Sequence, residues 1–138
     1  MLPRTAAPAQ AAGRYTGDSV ATASPARLLV MLYDRLALDL ARGERGLRDG
    51  VLDASSAAIG HAQDIVAELL SSLDQDAWDG GPALAAVYTF VLTELATAVV
   101  RRDADQVRAC RDLLEPLREA WTAAALTSTA PAFAGVVG

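Results

Sequence analysis

The hydrophobic pattern of this chain is clearest between Thr22 and Leu40, where a helix start leads into a wide apolar surface. Ser24 is a good N-cap residue, and Pro25 suits the first helical position because an N–H there would be unpaired anyway. Wound as a helix, the apolar residues that follow occupy an arc of roughly 180°, wider than an ordinary amphipathic stripe. The pattern predicts either a central helix with two neighbours or a helix that shares its surface between the core and a partner.

Three further segments have helical periodicity and complete the predicted fold. We expect helices over residues 25–45, 53–73, 82–102 and 104–125. Asp53 and Asp103 are the expected N-caps of the second and fourth helices, and Gly43, Gly46 and Gly50 are expected to weaken and end the first. Four helices of similar length with short connections predict an all-α, antiparallel four-helix bundle.

The two ends of the chain lack this periodicity. Residues 1–14 are small and interrupted by proline, which predicts a disordered N-terminal tail, and residues 127–138 are expected to form a mobile C-terminal tail. Between them, residues 15–126 are expected to form one helical-bundle domain. Its first residues, 15–21, are predicted to form a short helical segment that leads into the cap at Ser24.

The third predicted helix is almost uncharged, and a membrane span has to be considered for it. From Pro82 to Val100 the only charged residue is Glu94. We expect no stable membrane insertion, because threonines are spread through the segment and its bulky residues share one side. The opposite side is small and nearly uncharged, and it suits a second packed surface. Phe90 lies outside the main apolar arc and adds to that interpretation.

The charge balance argues against a nucleic-acid partner. Twelve basic residues, all arginine, face seventeen acidic ones, for a net charge of −5. Binding to DNA or RNA depends on concentrated positive charge, which this composition does not supply. Met1 to Ala12 has no continuous apolar core of the kind that signal peptides carry, and we therefore expect a cytoplasmic protein.

The residues that catalysis or metal binding would need are scarce. The chain has one histidine and one cysteine, Cys110, so we expect no metal site, no cofactor and no enzyme activity. One chemical alternative stays open, a histidine phosphotransfer-like signalling module that uses His61. Such modules are four-helix bundles with an exposed helical histidine. Here, however, His61 is followed by Ala62-Gln63-Asp64-Ile65, without the lysine and glycine typical of those modules.

Several short motifs, taken in order and with their spacing, resemble the bacterial flagellin export chaperones (FliS). The resemblance runs from Tyr15 to about Ala124. The matching residues are Tyr15, Thr22-Ala23-Ser24-Pro25, Leu32-Tyr33-Asp34, Ala62-Gln63-Asp64-Ile65, Ser71-Ser72-Leu73-Asp74, Gly80-Gly81, Tyr88 and Leu117-Arg118-Glu119-Ala120-Trp121.

The resemblance implies a cytoplasmic helical bundle that binds the disordered C-terminal segment of flagellin in apolar grooves. Binding would prevent premature polymerisation and hold flagellin ready for flagellar type III export, so components of the export apparatus are further expected partners. The expected state without client is a monomer or weak homodimer. On this basis the expected client-binding residues are Tyr15, Val20, Leu29, Leu32, Tyr33, Leu36, Leu40, Ala85, Thr89, Phe90 and Thr93.

Overall fold

The structure is a computed structural model and describes residues 24–127. Four long helices make up most of this part of the chain. They are α1 (Pro25–Asp49), α2 (Leu52–Ser72), α3 (Gly81–Arg101) and α4 (Ala104–Thr127). The predicted all-α class is confirmed. The tail expected over residues 1–14, the short helical segment over residues 15–21 and the C-terminal tail beyond Thr127 lie outside the described residues.

Side-chain contacts between the helices show that neighbours run in opposite directions. Along α1 and α2, Asp39 contacts His61, and further along α1 Gly46 lies against Ser55, so the position on α2 decreases as that on α1 increases. Along α1 and α4, Arg48 pairs with Asp105 and Asp34 pairs with Arg118. α1 packs extensively against both α2 and α4, while α3 packs less extensively against the same two helices. The predicted antiparallel bundle is confirmed.

Helix α1 begins as expected and ends later than expected. The Ser24 hydroxyl accepts a hydrogen bond from the Arg27 N–H at 3.2 Å, and Pro25 occupies the first turn. The predicted end near residue 45 is wrong, because the helix continues through Gly43 and Gly46 to Asp49. Gly50 then ends it in the left-handed conformation, with φ of 74°.

The two internal glycines of α1 mark its closest approach to α2. A Cβ at Gly43 would lie 2.6 Å from Cγ1 of Ile59, and a Cβ at Gly46 would lie 2.7 Å from Cβ of Ser55. Both glycines are buried. They serve the packing of α1 on α2, which outweighs their low helix propensity.

The remaining helix ends follow the sequence with one exception. Asp53 does not cap α2, since the N-cap position falls on Val51 and no side chain bonds there. Asp103 does cap α4, and its carboxylate accepts a hydrogen bond from the Gln106 N–H at 3.1 Å. The α4 helix contains Pro116 and continues past it to Thr127.

The core contains one buried polar contact that links diagonal helices. The hydroxyl oxygens of Tyr33 on α1 and Tyr88 on α3 lie 2.6 Å apart. The ring of Trp121 on α4 meets the ring of Tyr33 edge-on, with centroids 6.3 Å apart. Burial raises the pKa of both tyrosines above the ordinary value of 10.0. This group joins three of the four helices around one hydrogen bond.

A buried carboxylate holds the C-terminal end of α1 against the N-terminal part of α4. Glu44 is buried, and its two oxygens pair with Arg48 at 2.9 Å and with Arg111 at 3.2 Å. Arg48 also pairs with Asp105 of α4 at 3.0 Å. A buried carboxylate without a partner is costly, so these arginines are what make the position tolerable for Glu44.

Candidate functional site

The wide apolar arc of α1 is accounted for by the bundle itself. Leu32, Tyr33, Leu36 and Leu40 are at most 2% exposed and belong to the core. Since α1 packs on α2 and α4 and touches α3 through Tyr33, three neighbours share its surface. The structure therefore supports the interpretation of α1 as a central helix.

Helix α3 has a long exposed face that carries no charge. Its bulky residues Leu84, Tyr88, Val91 and Leu95 are buried, as the sequence predicted. The Phe90 side chain is 53% exposed and Val100 is 83% exposed. The exposed positions between Pro82 and Val100 are Pro82, Ala83, Ala86, Thr89, Phe90, Thr93, Ala96 and Val100.

The adjoining side of α4 extends this apolar surface. The amide of Gln106 donates a hydrogen bond to Glu94 at 3.1 Å, which identifies the side of α4 that adjoins α3. Steps of three and four residues from Gln106 follow that side down the helix. The exposed residues on it are Ala109, Leu113, Pro116 and Ala120, and Leu113 is 40% exposed. We call this surface, with the exposed positions of α3 given above, the α3–α4 face.

The predicted client-binding residues divide into five groups. Thr89, Phe90 and Thr93 lie together on the α3–α4 face. Leu29 is half-buried on α1, whereas Ala85 is buried on the inner side of α3. The four core residues of α1 are not accessible to a client in this arrangement, because the neighbouring helices cover them. The remaining two residues, Tyr15 and Val20, lie outside residues 24–127.

The sequence did not identify the contribution of α4 to the candidate site. Leu113 and Leu117 are expected from periodicity to be core residues, yet Leu113 is partly exposed and Leu117 only half-buried. The stripe of apolar positions on α4 is wider than its core contact requires. In the sequence, only the width of this stripe indicated that part of α4 is left exposed. The position of α3 in the structure shows which edge of the stripe that is.

His61 lies between two helices, whereas a solvated or phosphorylatable histidine would lie free on the surface of one helix. It bridges two helices, because its Nδ1 contacts the carboxylate of Asp39 on α1. Asp39 is 2% exposed, and its other oxygen lies 3.3 Å from Nε of Arg35. The His61 side chain itself is 27% exposed. The geometry assigns His61 a structural role between α1 and α2.

The other residue with reactive chemistry is also built into the bundle. Cys110 is 2% exposed in the core, and burial raises the pKa of its thiol to about 11, with a smaller contribution from the charge of Glu94. A thiol with that pKa is a weak nucleophile at neutral pH, since the thiolate is the reactive form. Within residues 24–127, no three His, Cys, Asp or Glu side chains are grouped as a metal site would require.

One described helix, α3, is long and apolar enough to cross a membrane by length and composition. Its most apolar window has a mean hydropathy of 1.8, and a third of that window is buried. A core helix of a soluble protein passes the same test. Because one side of α3 packs into the bundle core, its apolar composition has a local explanation on that side.

Comparison with known proteins relates this chain to one family. The family model described as "Flagellar protein FliS" matches residues 8–128. A curated relative named "Flagellar secretion chaperone FliS", from Salmonella typhimurium strain LT2, is 32% identical over 108 residues. That match covers 75% of this chain and 78% of the relative.

Proposed function

This chain belongs to the FliS family of flagellar proteins, and from that premise we propose that it is a flagellar export chaperone whose client is flagellin. Its client segment is the disordered C-terminal segment of flagellin. The chaperone holds that segment in the cytoplasm, prevents premature polymerisation and keeps flagellin ready for type III export. It acts by binding, without a catalytic step.

The observation that carries this proposal is the α3–α4 face. An exposed apolar surface that extends over two helices is unusual on a monomeric protein and marks a site of interaction. The face follows α3 from Pro82 to Val100, so it offers a helical client about five turns of contact. Its small residues let a second helix approach closely, and Phe90 and Leu113 provide bulky contacts.

The chemistry of such a face suits a client that folds as it binds. A disordered segment loses conformational entropy when it becomes helical, and a wide apolar contact offsets that cost. An amphipathic helix places apolar residues at intervals of three and four, which matches the spacing of exposed positions on α3. A folded, polar client surface would gain little from an uncharged face.

The phosphotransfer alternative gains no support from the position of His61. A phosphoryl group on Nδ1 would replace the contact with Asp39, which is almost fully buried in the helix interface, and a phosphoryl group on Nε2 would bring its charge to a ring that this buried carboxylate already holds. A new negative charge next to that carboxylate would be strongly unfavourable. The export chaperone is therefore the function that the described residues favour.

A charge placed on the face tests this function directly. Phe90→Asp and Leu113→Asp should each weaken binding of a flagellin C-terminal peptide by at least about tenfold, because burial of a large side chain is lost and a charge is desolvated. Leu126→Asp is the matched control, since Leu126 is 82% exposed and lies on another side of α4.

Fluorescence anisotropy with a labelled peptide measures all three affinities, and circular dichroism verifies that each variant remains helical. Wild-type affinity in both folded face variants would show that the client does not use the α3–α4 face. Equal weakening by Leu126→Asp would indicate a general effect of charge instead of a local one.

A further inference from the structure

Glu94 is a charged side chain at the edge of an otherwise uncharged surface, the α3–α4 face. It is half-buried, and no other residue between Pro82 and Val100 is charged. Phe90, one turn earlier on α3, is exposed on the face. On α4, the amide of Gln106 donates a hydrogen bond to Oε1 of Glu94 at 3.1 Å. A client that covers both helices therefore passes close to this carboxylate.

The pairing of Glu94 differs from that of other carboxylates in the bundle. Three carboxylates that are buried or half-buried are each paired with an arginine. These pairs are Glu44 with Arg111 at 3.2 Å, Asp39 with Arg35 at 3.3 Å and Glu115 with Arg118 at 2.9 Å. Among residues 24–127, no arginine pairs with Glu94, whose hydrogen bond comes from a neutral amide. Glu94 thus has a negative charge that no neighbouring cation balances.

A helix bound to the α3–α4 face would change the surroundings of this carboxylate. In the free protein, water solvates the exposed part of Glu94, and a covering helix removes that water. A charge that loses its water without gaining a partner is strongly unfavourable, and one hydrogen bond from an amide offsets only part of the cost. A cationic side chain on the client removes the penalty, because it supplies both the opposite charge and N–H donors.

We propose that Glu94 determines the specificity of the α3–α4 face by pairing with a lysine or arginine of the client. This inference rests on the proposed function and adds a charged contact at a defined place. The pair fixes the register of the client helix, which apolar contacts alone would allow to shift by a turn. The aliphatic stem of a basic side chain can lie along the exposed ring of Phe90 while its charged end reaches Glu94.

A double-mutant cycle between the protein and the client tests the pair. The protein variant is Glu94→Gln, which keeps the size of the side chain and an acceptor for Gln106. The peptides are the flagellin C-terminal peptide and versions of it in which each lysine or arginine in turn becomes glutamine. One such peptide should bind the wild-type protein at least about fivefold more weakly, yet bind Glu94→Gln within about twofold of the unchanged peptide. Fluorescence anisotropy measures each affinity.

Charge reversal and a matched control make the test local. Glu94→Arg should weaken binding of the unchanged peptide at least about tenfold, and a glutamate at the identified peptide position should restore most of the loss. Asp49→Asn removes the same charge from the exposed end of α1, which is not part of the α3–α4 face. Its affinity should stay within about twofold of the wild type. Added salt should weaken peptide binding by the wild type more than by Glu94→Gln.

The outcomes separate this inference from the proposed function. If the wild type binds the peptide and Glu94→Gln is folded, but no basic residue of the peptide is coupled to Glu94, the pairing is wrong and the proposed function stands. If the wild type binds no peptide, both are wrong. Equal weakening by Asp49→Asn would overturn the local pair in favour of a general effect of charge. Coupling to one basic residue, with rescue by the reversed charges, supports it.

Discussion

The hydrogen bond between Tyr33 and Tyr88 is the residue-scale feature whose energetic effect is easiest to isolate. Tyr88→Phe should lower the free energy of unfolding by about 1–2 kcal/mol, because the Tyr33 hydroxyl would remain buried without its partner. The double variant Tyr33→Phe with Tyr88→Phe should cost less than the sum of the two single variants. Urea denaturation followed by tryptophan fluorescence gives the three values. Strictly additive losses would show that the two hydroxyls do not interact.

Cys110 gives the bundle a dependence on alkaline pH. Burial raises the pKa of its thiol from 9.0 to about 11, so the unfolded chain releases this proton at lower pH than the folded chain. The contribution of the neutral thiol to the free energy of unfolding is complete below pH 9 and is lost as the pH rises from 9 to about 11. We expect the free energy of unfolding of the wild type to decline over that interval. Tyr33 and Tyr88, whose pKa values are also raised, add to the decline above pH 10.

The variant Cys110→Ala removes the titration of the thiol and keeps that of Tyr33 and Tyr88. Its free energy of unfolding should decline less steeply between pH 9 and 11 than that of the wild type. Urea denaturation at intervals of half a pH unit provides the comparison. Parallel curves for the two proteins would mean that the thiol titrates alike in the folded and unfolded states.

The role of an individual residue could be predicted from the sequence where that role depends on residues close to it in the chain. Ser24 and Asp103 cap helices as predicted, because capping joins groups only two or three residues apart. His61 could not be assigned in this way. Its partner Asp39 is 22 residues away in sequence and becomes its neighbour only when α1 packs on α2. Contacts of that kind depend on packing and not on local pattern.

At the scale of elements, the contact between α1 and α2 depends on the missing side chain of Gly46. Gly46→Ala would place a Cβ 3.0 Å from Cα of Ser55, which is backbone and can move only if the helices separate. We expect a loss of about 1–3 kcal/mol in the free energy of unfolding, as is typical of overpacking.

Gly60 on α2 is the matched control for this prediction. A Cβ there would have no atom within 4 Å, so Gly60→Ala should stabilise the protein by about 0.5–1 kcal/mol through helix propensity alone. Thermal unfolding followed by circular dichroism gives both changes and their sign. A stabilising Gly46→Ala would contradict the close approach of the two helices.

The positions of the helices could largely be predicted from the sequence. Which face of each helix is buried in the core and which is exposed could not. Hydrophobic periodicity located all four helices, since an apolar stripe is needed wherever a helix packs. The same periodicity could not separate core from open surface on α1 or α4. Leu32 and Leu36 were candidates for the client site and are core, whereas Leu113 was a candidate for the core and is exposed. The outcome depends on how many neighbours each helix has.

At the scale of the whole molecule, the bundle separates its stabilising surfaces from its open one. α1 lies between α2 and α4, and its polar contacts with α4 include Glu44 and the Arg118–Asp34 pair at 2.7 Å. α3 packs less extensively and presents an uncharged face outward. A variant on that face can therefore change binding with little effect on stability, which makes the proposed client site accessible to mutation.

We propose that this protein binds the C-terminal segment of flagellin through apolar contact coupled to folding of the client. This binding can be measured by isothermal titration calorimetry of the purified protein with a synthetic C-terminal flagellin segment from the same organism, repeated at several temperatures. We predict saturable binding with a strongly negative heat-capacity change, because apolar surface is buried as the segment becomes helical. No heat at any of the temperatures, together with no co-elution of the peptide in gel filtration, would show that flagellin is not the client.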